Sequence, residues 1–295
     1  MKLLEFLALY GNPATIVNAL RLNRLLKSHM QCESCGELMS EHTVQKSDGL
    51  MFRCNKRCCR REKSIRTGSF FEHTKLNLCD SMLFIHLWSK GYTEQLICDD
   101  FSFSKATAVD WSRFCRDLCV YHFESSDALI GGQGTIVEID ETVIVKRKYD
   151  RGRMLTEGWL FGGIERRSDG VFNCFMRVVY NRCEAHLTHL IQQHVAPGTT
   201  IMTDGWAAYA NLGTMGYSHQ VVIHDENFVL PTDRNVHTQT IEATWCSLKR
   251  FIRARGTHKG SHLLEYICEW MFRRKFSAVY DALLDVIRQK YTILL

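Results

Sequence analysis

Two different periods of hydrophobic and polar positions divide the chain into a helical first half and a second half that begins with strands. Apolar side chains recur at helical spacing in residues 1–30 and again in residues 75–123, with breaks at 11–13 and 91–93. A polar, glycine-rich segment at 125–134 then separates the two halves. We therefore expect a domain boundary in that segment.

The pattern of the second half predicts one sheet with helices packed on it. In chain order, the predicted elements are strands at 135–148, 158–165 and 171–180, a helix at 183–195, a strand at 199–203, a short helix at 206–212, a strand at 220–223 and a helix at 238–255. Three antiparallel strands followed by helix, strand, helix, strand and helix are the order of the ribonuclease-H-like fold. The predicted fold class is therefore α/β, with a mixed five-stranded sheet and flanking helices.

The first half contains two cysteine pairs with the spacing of a zinc ribbon. Cys32-x-x-Cys35 is followed by a second pair formed by Cys54 with Cys58 or Cys59. Four thiolates complete a tetrahedral shell, so such a zinc would be structural. The spacing leaves the fourth ligand open, and cysteines in an ordinary small core are the alternative.

A helix-turn-helix is the second feature of the first half. Residues 102–105 predict a turn between two helical segments, with Lys105, Arg113 and Arg116 expected on the exposed surface. This arrangement suits a helix that enters the major groove of DNA. A small helical bundle is the plain alternative.

The distribution of charge is compatible with a polyanionic partner. The chain has 295 residues, 45% of them hydrophobic, which is enough for a sizeable core in two or three units. Its net charge is only +5, but basic side chains crowd into four clusters, at residues 57–66, 146–153, 249–259 and 273–275. Such clusters suit DNA, although a solvated surface is the commoner meaning of any single one.

The cysteine usage and the apolar runs indicate the compartment. Thirteen cysteines are an odd number, and most of those outside the predicted ribbon lie singly in helical patterns, which argues against a secreted disulfide scaffold. The chain has no run of about 18 apolar residues and no convincing signal peptide. We expect an intracellular, reducing compartment, the nucleus if the host is eukaryotic, and no membrane partner.

Three acidic residues lie where the predicted elements would bring them together. Asp140 lies in the first strand of the second half, Asp204 directly follows the fourth strand, and Glu242 lies in the helix that begins at residue 238. Converging carboxylates can hold the two divalent ions of an in-line phosphoryl transfer. Alternation puts Glu138 on the same face as Asp140, so the pattern does not choose between them. Singly, each acid is equally an exposed, turn or helix-surface residue.

Two cations continue the helix that carries Glu242. Lys249 and Arg253 share its face, about two and three turns farther on, where they would meet phosphates of bound DNA. A solvated charged face is the alternative for this helix alone.

Several longer motifs strengthen the prediction. They are Glu138-Ile-Asp140-Glu-Thr142 with Lys146-Arg-Lys148-Tyr-x-Arg-Gly152, Gly158-Trp-Leu-Phe-Gly162-Gly163-Ile-Glu165, Thr203-Asp204-Gly-Trp206-x-x-Tyr209, His219, Phe228-Val229, and His237-Thr-Gln-Thr-Ile-Glu242-x-x-Trp245-x-x-x-Lys249-Arg250. With these motifs the chain resembles the Merlin-type DDE transposases, eukaryotic relatives of a bacterial insertion-sequence family. The resemblance runs from the predicted ribbon to about residue 255.

The resemblance implies cut-and-paste DNA transposition. Asp140, Asp204 and Glu242 would hold two Mg²⁺ (or Mn²⁺) ions during cleavage and strand transfer, without a covalent protein–DNA intermediate. The DNA partners would be terminal inverted repeats and target DNA, bound by an oligomer of identical chains. The ribbon and the helical segment would recognise the repeats.

The resemblance also implies roles for basic residues and for one cysteine. Lys146, Lys148 and Arg151 would hold the DNA backbone near the first acid. Lys249 matches the basic residue that follows the third acid of the family by two helical turns. The ending Cys-Arg-Arg-x-x-Ser resembles the family's ribbon and selects Cys59 as the fourth zinc ligand.

Five regions are therefore predicted: N-terminal helices at 1–30, a zinc ribbon at 31–72, a helix-turn-helix-like DNA-binding segment at 73–125, a ribonuclease-H-like catalytic domain at 135–257 and C-terminal helices at 258–295. Two alternative functions stay open. The first is a domesticated, transposase-derived DNA-binding protein that has lost transposition. The second is another nuclease of this fold that acts on RNA–DNA hybrids or DNA junctions.

Overall fold

The computed structural model describes residues 1–45, 48–144, 158–167, 169–222, 236–255 and 262–292. Its contacts divide the chain into two compact units, residues 1–122 with 278–295 and residues 123–277. The helices are α1 (Leu3–Tyr10), α2 (Ile16–Leu22), α3 (Leu78–Ser89), α4 (Glu94–Phe101), α5 (Lys105–Glu124), α6 (Glu184–His194), α7 (Gln239–Ala254), α8 (Leu263–Lys275) and α9 (Val279–Lys290). The strands are β1 (Ser40–Thr43), β2 (Leu50–Arg53), β3 (Glu62–Ser64), β4 (Ile130–Gly131), β5 (Ile136–Val143), β6 (Trp159–Arg166), β7 (Cys174–Val179), β8 (Val195–Ala196), β9 (Thr200–Asp204) and β10 (Ser218–Val222).

The first unit contains an aromatic contact that joins the two ends of the chain. The ring of Phe6 in α1 stacks on His86 in α3 at 4.6 Å and meets Tyr280 in α9 edge-on at 6.0 Å. Burial lowers the pKa of His86 to about 4, so this imidazole is neutral at pH 7. The last described helix therefore packs with the first in one hydrophobic core.

The predicted turn between two helices is present, and local capping explains it. Ser102 ends α4 in the left-handed conformation (φ 57°), and the Ser104 hydroxyl accepts the Thr107 N–H in the first turn of α5 at 3.1 Å. Lys105 and Arg113 are exposed as expected. Arg116 is buried and faces Glu94, so its predicted exposure is wrong.

A small antiparallel sheet, in the order β1-β2-β3, carries the cysteine pairs. Arg66, which the sequence places in a basic cluster, is buried and pairs through two N–H groups with Asp48 at 2.6 and 2.5 Å. It therefore stabilises the loops around this sheet and adds nothing to a basic surface. Lys46 and Ser47 of the hairpin lie outside the described residues.

The second unit is built on a mixed five-stranded sheet with the strand order β10-β9-β5-β6-β7. Strands β5, β6 and β7 are antiparallel, whereas β9 is parallel to both β5 and β10. The predicted α/β class, with a mixed five-stranded sheet and flanking helices, is confirmed. A short parallel pair, β4 with β8, was not predicted, since two residues are too few to form a pattern.

The two faces of the sheet differ in what covers them. On one face, Ile139 of β5 and Phe161 of β6 pack with Ile191 of α6 and Tyr209 in a buried cluster. The other face is covered by α7 and α8. None of the described helices is long and apolar enough to cross a membrane.

Candidate active site

Helix α7 lies along strand β5 with matching periods. Three hydrogen bonds run from every fourth residue of the helix to every second residue of the strand: Ile241 N–H to Glu138 at 2.8 Å, Trp245 Nε1 to Asp140 at 2.9 Å and Lys249 Nζ to Thr142 at 2.5 Å. Four helical residues rise about 6 Å, and two strand residues advance about 6.6 Å. This near-equality keeps the two elements in register over the whole contact.

Glu138 anchors the beginning of α7. Its carboxylate is fully buried, pairs with Arg166 at 2.5 Å and accepts the Ile241 N–H in the first turn of the helix. The other arm of Arg166 donates to the carbonyl of His237 at 2.5 Å. The side chain of the N-cap residue Thr238 does not cap α7. The Glu138 carboxylate accepts a first-turn N–H instead, and its negative charge interacts favourably with the positive end of the helix dipole. The Glu138 carboxylate is thus already bonded to Arg166 and to the backbone of α7.

Glu138→Ala is expected to lower the free energy of unfolding of the 123–277 unit by about 3–5 kcal/mol, because it removes one partner of a buried ion pair. Urea unfolding of the purified chain measures this. Glu138→Gln keeps an acceptor for the Ile241 N–H and should cost less. Asp127→Ala, an exposed acid of the same unit, should change stability by less than about 0.5 kcal/mol. A loss below about 1 kcal/mol in Glu138→Ala would contradict the anchoring role.

Asp140 and Asp204 lie on the same face of adjacent parallel strands. Glu138 of β5 is the register partner of Met202 of β9, and each acid lies two residues farther along its strand. The Asp140 carboxylate is fixed by the Trp245 indole, and the Asp204 carboxylate accepts the N–H of Trp206 at 3.1 Å. The strand order therefore brings together two acids that are 64 positions apart.

Glu242 approaches the same face from α7, directly after the anchored Ile241. It is exposed, and its carboxylate accepts the hydroxyl of Thr238 at 3.2 Å. The charges of Asp204 and Glu242 both act on Asp140. The described residues contain one group of ligating side chains whose ligand atoms all lie within 4.8 Å of one another, and it consists of cysteines. The three acids lie on the same face, but their carboxylate oxygens are not all within 4.8 Å of one another. The sequence predicted a closer cluster.

Burial is the main cause that raises the pKa of Asp140, to about 6, and the charges of Asp204 and Glu242 contribute in the same direction. N–H groups of Glu141 and Trp245 act in the opposite direction. The ionised form of Asp140 is therefore destabilised mainly by burial and, to a smaller degree, by the two neighbouring acids.

Asp140→Asn is expected to raise the free energy of unfolding at pH 8, measured in EDTA, by about 3 kcal/mol. The ordinary pKa of 3.8 is raised to about 6 in the folded chain, so the wild type carries the full cost of a buried charge above pH 6. Well below pH 3.8 the carboxyl is protonated in both states and the cost disappears. Urea unfolding from about pH 3 to pH 8 tests this. Equal pH profiles for the two proteins would contradict it.

Glu141 is a fourth acid near the site that the sequence did not single out. It points to the opposite face of β5, where the Tyr209 hydroxyl donates to it. Burial raises the pKa of Glu141 to about 7, and the charges of Asp140 and Asp204 add to this. Tyr209, in the motif that begins at Thr203, is the residue in the sequence that could have indicated a role for Glu141.

Trp245 and Gly162 were present in the motifs, but no role was predicted for them. A Cβ on Gly162 would lie 2.8 Å from the Trp245 ring and 2.7 Å from the Phe175 carbonyl. Gly162 is the cross-strand partner of Asp140, so the absent side chain makes room for the indole whose N–H holds that acid. The structure assigns a steric reason to this glycine and a positioning role to this tryptophan.

Of the five predicted DNA-binding residues, two lie in the described part of the chain. Lys146, Lys148 and Arg151 lie outside the described residues. Lys249 lies beside Thr142 at the end of the β5–α7 contact. Arg253 is exposed, and its Nε donates to the Lys249 carbonyl at 3.1 Å. The two described cations thus lie on one side of α7, together with Glu242.

The cysteine cluster is formed by Cys32, Cys35, Cys54 and Cys59, whose sulfur atoms all lie within 4.8 Å of one another. Cys58 is exposed and is not in this group. A hydrogen bond from the Ser34 backbone, followed by one from Cys59, lowers the pKa of Cys32, whereas burial and the neighbouring sulfurs raise the pKa of Cys54. Four soft thiolates at these distances fit a tetrahedral Zn²⁺.

Comparison with known proteins gives a family match within the second unit. No curated protein sequence matches the chain. Residues 129–275, which contain all three acids and α7, match the family model of the ISXO2-like transposase domain. This match supports the assignment of the chain to the DDE transposase family.

Proposed function

We propose that this chain is a DDE transposase of the Merlin type, which cleaves DNA at terminal inverted repeats and transfers the cut strand to target DNA. The observation that carries the proposal is the β5–α7 register, which directs Asp140 and Glu242 to the face that also holds Asp204. The transposase-domain match over the same residues supports it. The strand order of the sheet, three antiparallel strands followed by two parallel ones, supports a ribonuclease-H-like catalytic domain.

The donor set fits two Mg²⁺ or Mn²⁺ ions. Hard carboxylate oxygens are the ligands that these ions prefer, and a bound cation would offset the cost of the buried Asp140 charge. Asp140, Asp204 and Glu242 would hold the ions. When bound, such ions supply activation of the attacking oxygen and charge stabilisation at the leaving oxygen of a phosphodiester.

The residues of the chain would orient the acids and the DNA. The Trp245 indole fixes the Asp140 carboxylate, and the Thr238 hydroxyl fixes that of Glu242. The Glu138–Arg166 pair holds the start of α7 and thereby the position of Glu242. Lys249, with its ammonium group at the edge of the site, would attract a backbone phosphate.

Roles for the cysteines, the helical segment and the other basic residues complete the proposal. Cys32, Cys35, Cys54 and Cys59 would hold a structural zinc ion, and the ribbon with the helix-turn-helix segment would recognise the inverted repeats. Identical chains would assemble across the two DNA ends. Lys146, Lys148 and Arg151 would contact the DNA backbone near the first acid, by charge and position rather than by base reading.

The test uses the purified full chain, a DNA duplex taken from the end of the element that flanks the gene, and a target plasmid, in Mg²⁺, Mn²⁺ or EDTA. We expect cleavage at the element end and joining to the plasmid, both dependent on the divalent ion. Binding without cleavage in either ion would identify a domesticated DNA-binding protein. Cleavage without joining, with RNA–DNA hybrids cut equally well, would identify another nuclease of this fold.

A further inference from the structure

Arg182, which no motif singled out, lies against two tryptophans beside the candidate active site. Its guanidinium carbon is 3.4 Å from the centre of the Trp159 ring and 4.8 Å from that of the Trp206 ring. The backbone N–H of Trp206 donates to Asp204. The stacked guanidinium is therefore held by a residue that directly contacts one of the three acids.

The charge of Arg182 reaches the acidic cluster. It lowers the pKa of Glu141, although burial has a larger effect in the opposite direction. The charges of Asp140 and Asp204 also act on Glu141 and raise its pKa. No carboxylate among the described residues lies within ion-pair distance, 4.0 Å, of Arg182. The described part of the chain also contributes no hydrogen bond to its guanidinium.

Stacking of this kind fixes the plane of a guanidinium without using its N–H groups. The guanidinium carbon lies over the Trp159 ring, and the five N–H donors project from the edge of the guanidinium group. Arginine donors in a fixed fork match the oxygens of a phosphate group, and Arg182 is only half-buried, so a ligand can approach it. Asp204 and Glu141 lie nearby and would repel any anionic ligand, a carboxylate as much as a phosphate. A phosphodiester is favoured because the proposed substrate brings one to these acids.

We propose that Arg182, held by Trp159 and Trp206, binds a backbone phosphate of the DNA strand that enters the active site. The inference rests on the proposed function, because that function places a phosphodiester next to Asp204. Arg182 would be a DNA-binding residue of the catalytic unit, additional to those on α7. It would position the strand and would not take part in proton transfer.

The experiment measures the affinity of the full chain for a fluorescein-labelled duplex of the element end over a range of salt concentrations. Arg182→Gln is expected to weaken binding about tenfold or more at low salt. It should also make the slope of log Kd against log salt shallower by about 0.9, the value for one phosphate. Arg182→Lys keeps the charge but not the fork, so its slope should stay and its affinity should fall only a few-fold.

Arg167→Gln is the matched control. Arg167 belongs to the same unit, but its guanidinium is paired with Asp169 and Glu165, so its loss should leave the slope unchanged. A purely structural role for Arg182 predicts a lower Tm with an unchanged slope in Arg182→Gln, and that result would overturn the proposal. An equal slope change in Arg167→Gln would overturn it as well.

Failure of the proposed function is measured separately. Cleavage of the same duplex by the wild type in Mn²⁺ tests the function, whereas the salt slope needs no cleavage. A wild type that binds but does not cut refutes the transposase activity, and the slope of Arg182→Gln still decides whether Arg182 contacts a phosphate.

Discussion

Asp140→Asn, Asp204→Asn and Glu242→Gln are each expected to reduce DNA cleavage by about 10³-fold or more, while DNA affinity changes by only a few-fold. Each substitution removes one negatively charged ligand from a proposed two-metal site, and the metal ions contribute several kcal/mol of transition-state stabilisation. The substitutions are nearly isosteric. Because binding of duplex DNA depends mainly on phosphate contacts with basic residues, it should survive the loss of an acid.

The measurement is single-turnover cleavage of the element-end duplex in Mn²⁺, with anisotropy titrations of the same duplex. Asp127→Asn is the matched control, because it removes an exposed carboxylate from the same unit and should cut at the wild-type rate. Wild-type cutting by any one of the three variants would remove that residue from the active site. Loss of cutting in Asp127→Asn would show that the effect is one of overall charge.

Cys35→Ser is expected to abolish stoichiometric zinc binding and to unfold the β1–β3 sheet. Structural zinc sites in small domains contribute about 10–16 kcal/mol of binding free energy that is also folding free energy. The sheet has only three short strands, which bury little apolar surface, so it depends on the metal to a large degree. The sulfur of Cys35 lies 3.5 Å from that of Cys54, so serine in its place breaks the tetrahedral set.

Zinc content by native mass spectrometry and limited proteolysis between residues 31 and 72 measure this effect. Cys58→Ser is the control, because Cys58 neighbours the cluster in sequence but is exposed and outside it. It should retain one zinc per chain and the wild-type protease resistance. Loss of zinc in Cys58→Ser with retention in Cys59→Ser would reverse the ligand choice.

The sequence by itself determined the order of elements in the second unit. Alternating apolar residues such as Val137 and Ile139 predicted β5, and apolar residues at helical spacing predicted α6 and α7. These patterns are local, because each strand or helix must bury one of its own faces whatever it packs against. The same local pattern predicted the helix-turn-helix, whose turn depends on capping by Ser104 within the segment.

The roles of single charged residues needed the tertiary structure. Periodicity put Glu138 and Asp140 on one face and could not separate them. The structure does so: Glu138 pairs with Arg166 and the first turn of α7, whereas Asp140 lies two residues farther along, level with Asp204. The partners of Glu138 are 28 and 103 positions away in sequence, which no local pattern can reveal.

Burial of cations was decided in the same way. Arg66 and Arg116 look like surface charges in the sequence, yet Asp48 and Glu94 face them and both arginines are buried. No sequence pattern singled out Arg182, yet two tryptophans contact it in the folded chain, Trp159 of β6 and Trp206 of the loop after β9. The sequence thus determined which segments form helices and strands, because that depends on neighbours along the chain. Only the tertiary structure decided which charges are paired, buried or presented to a ligand, because a charge is stabilised by whatever lies within a few ångströms of it in space.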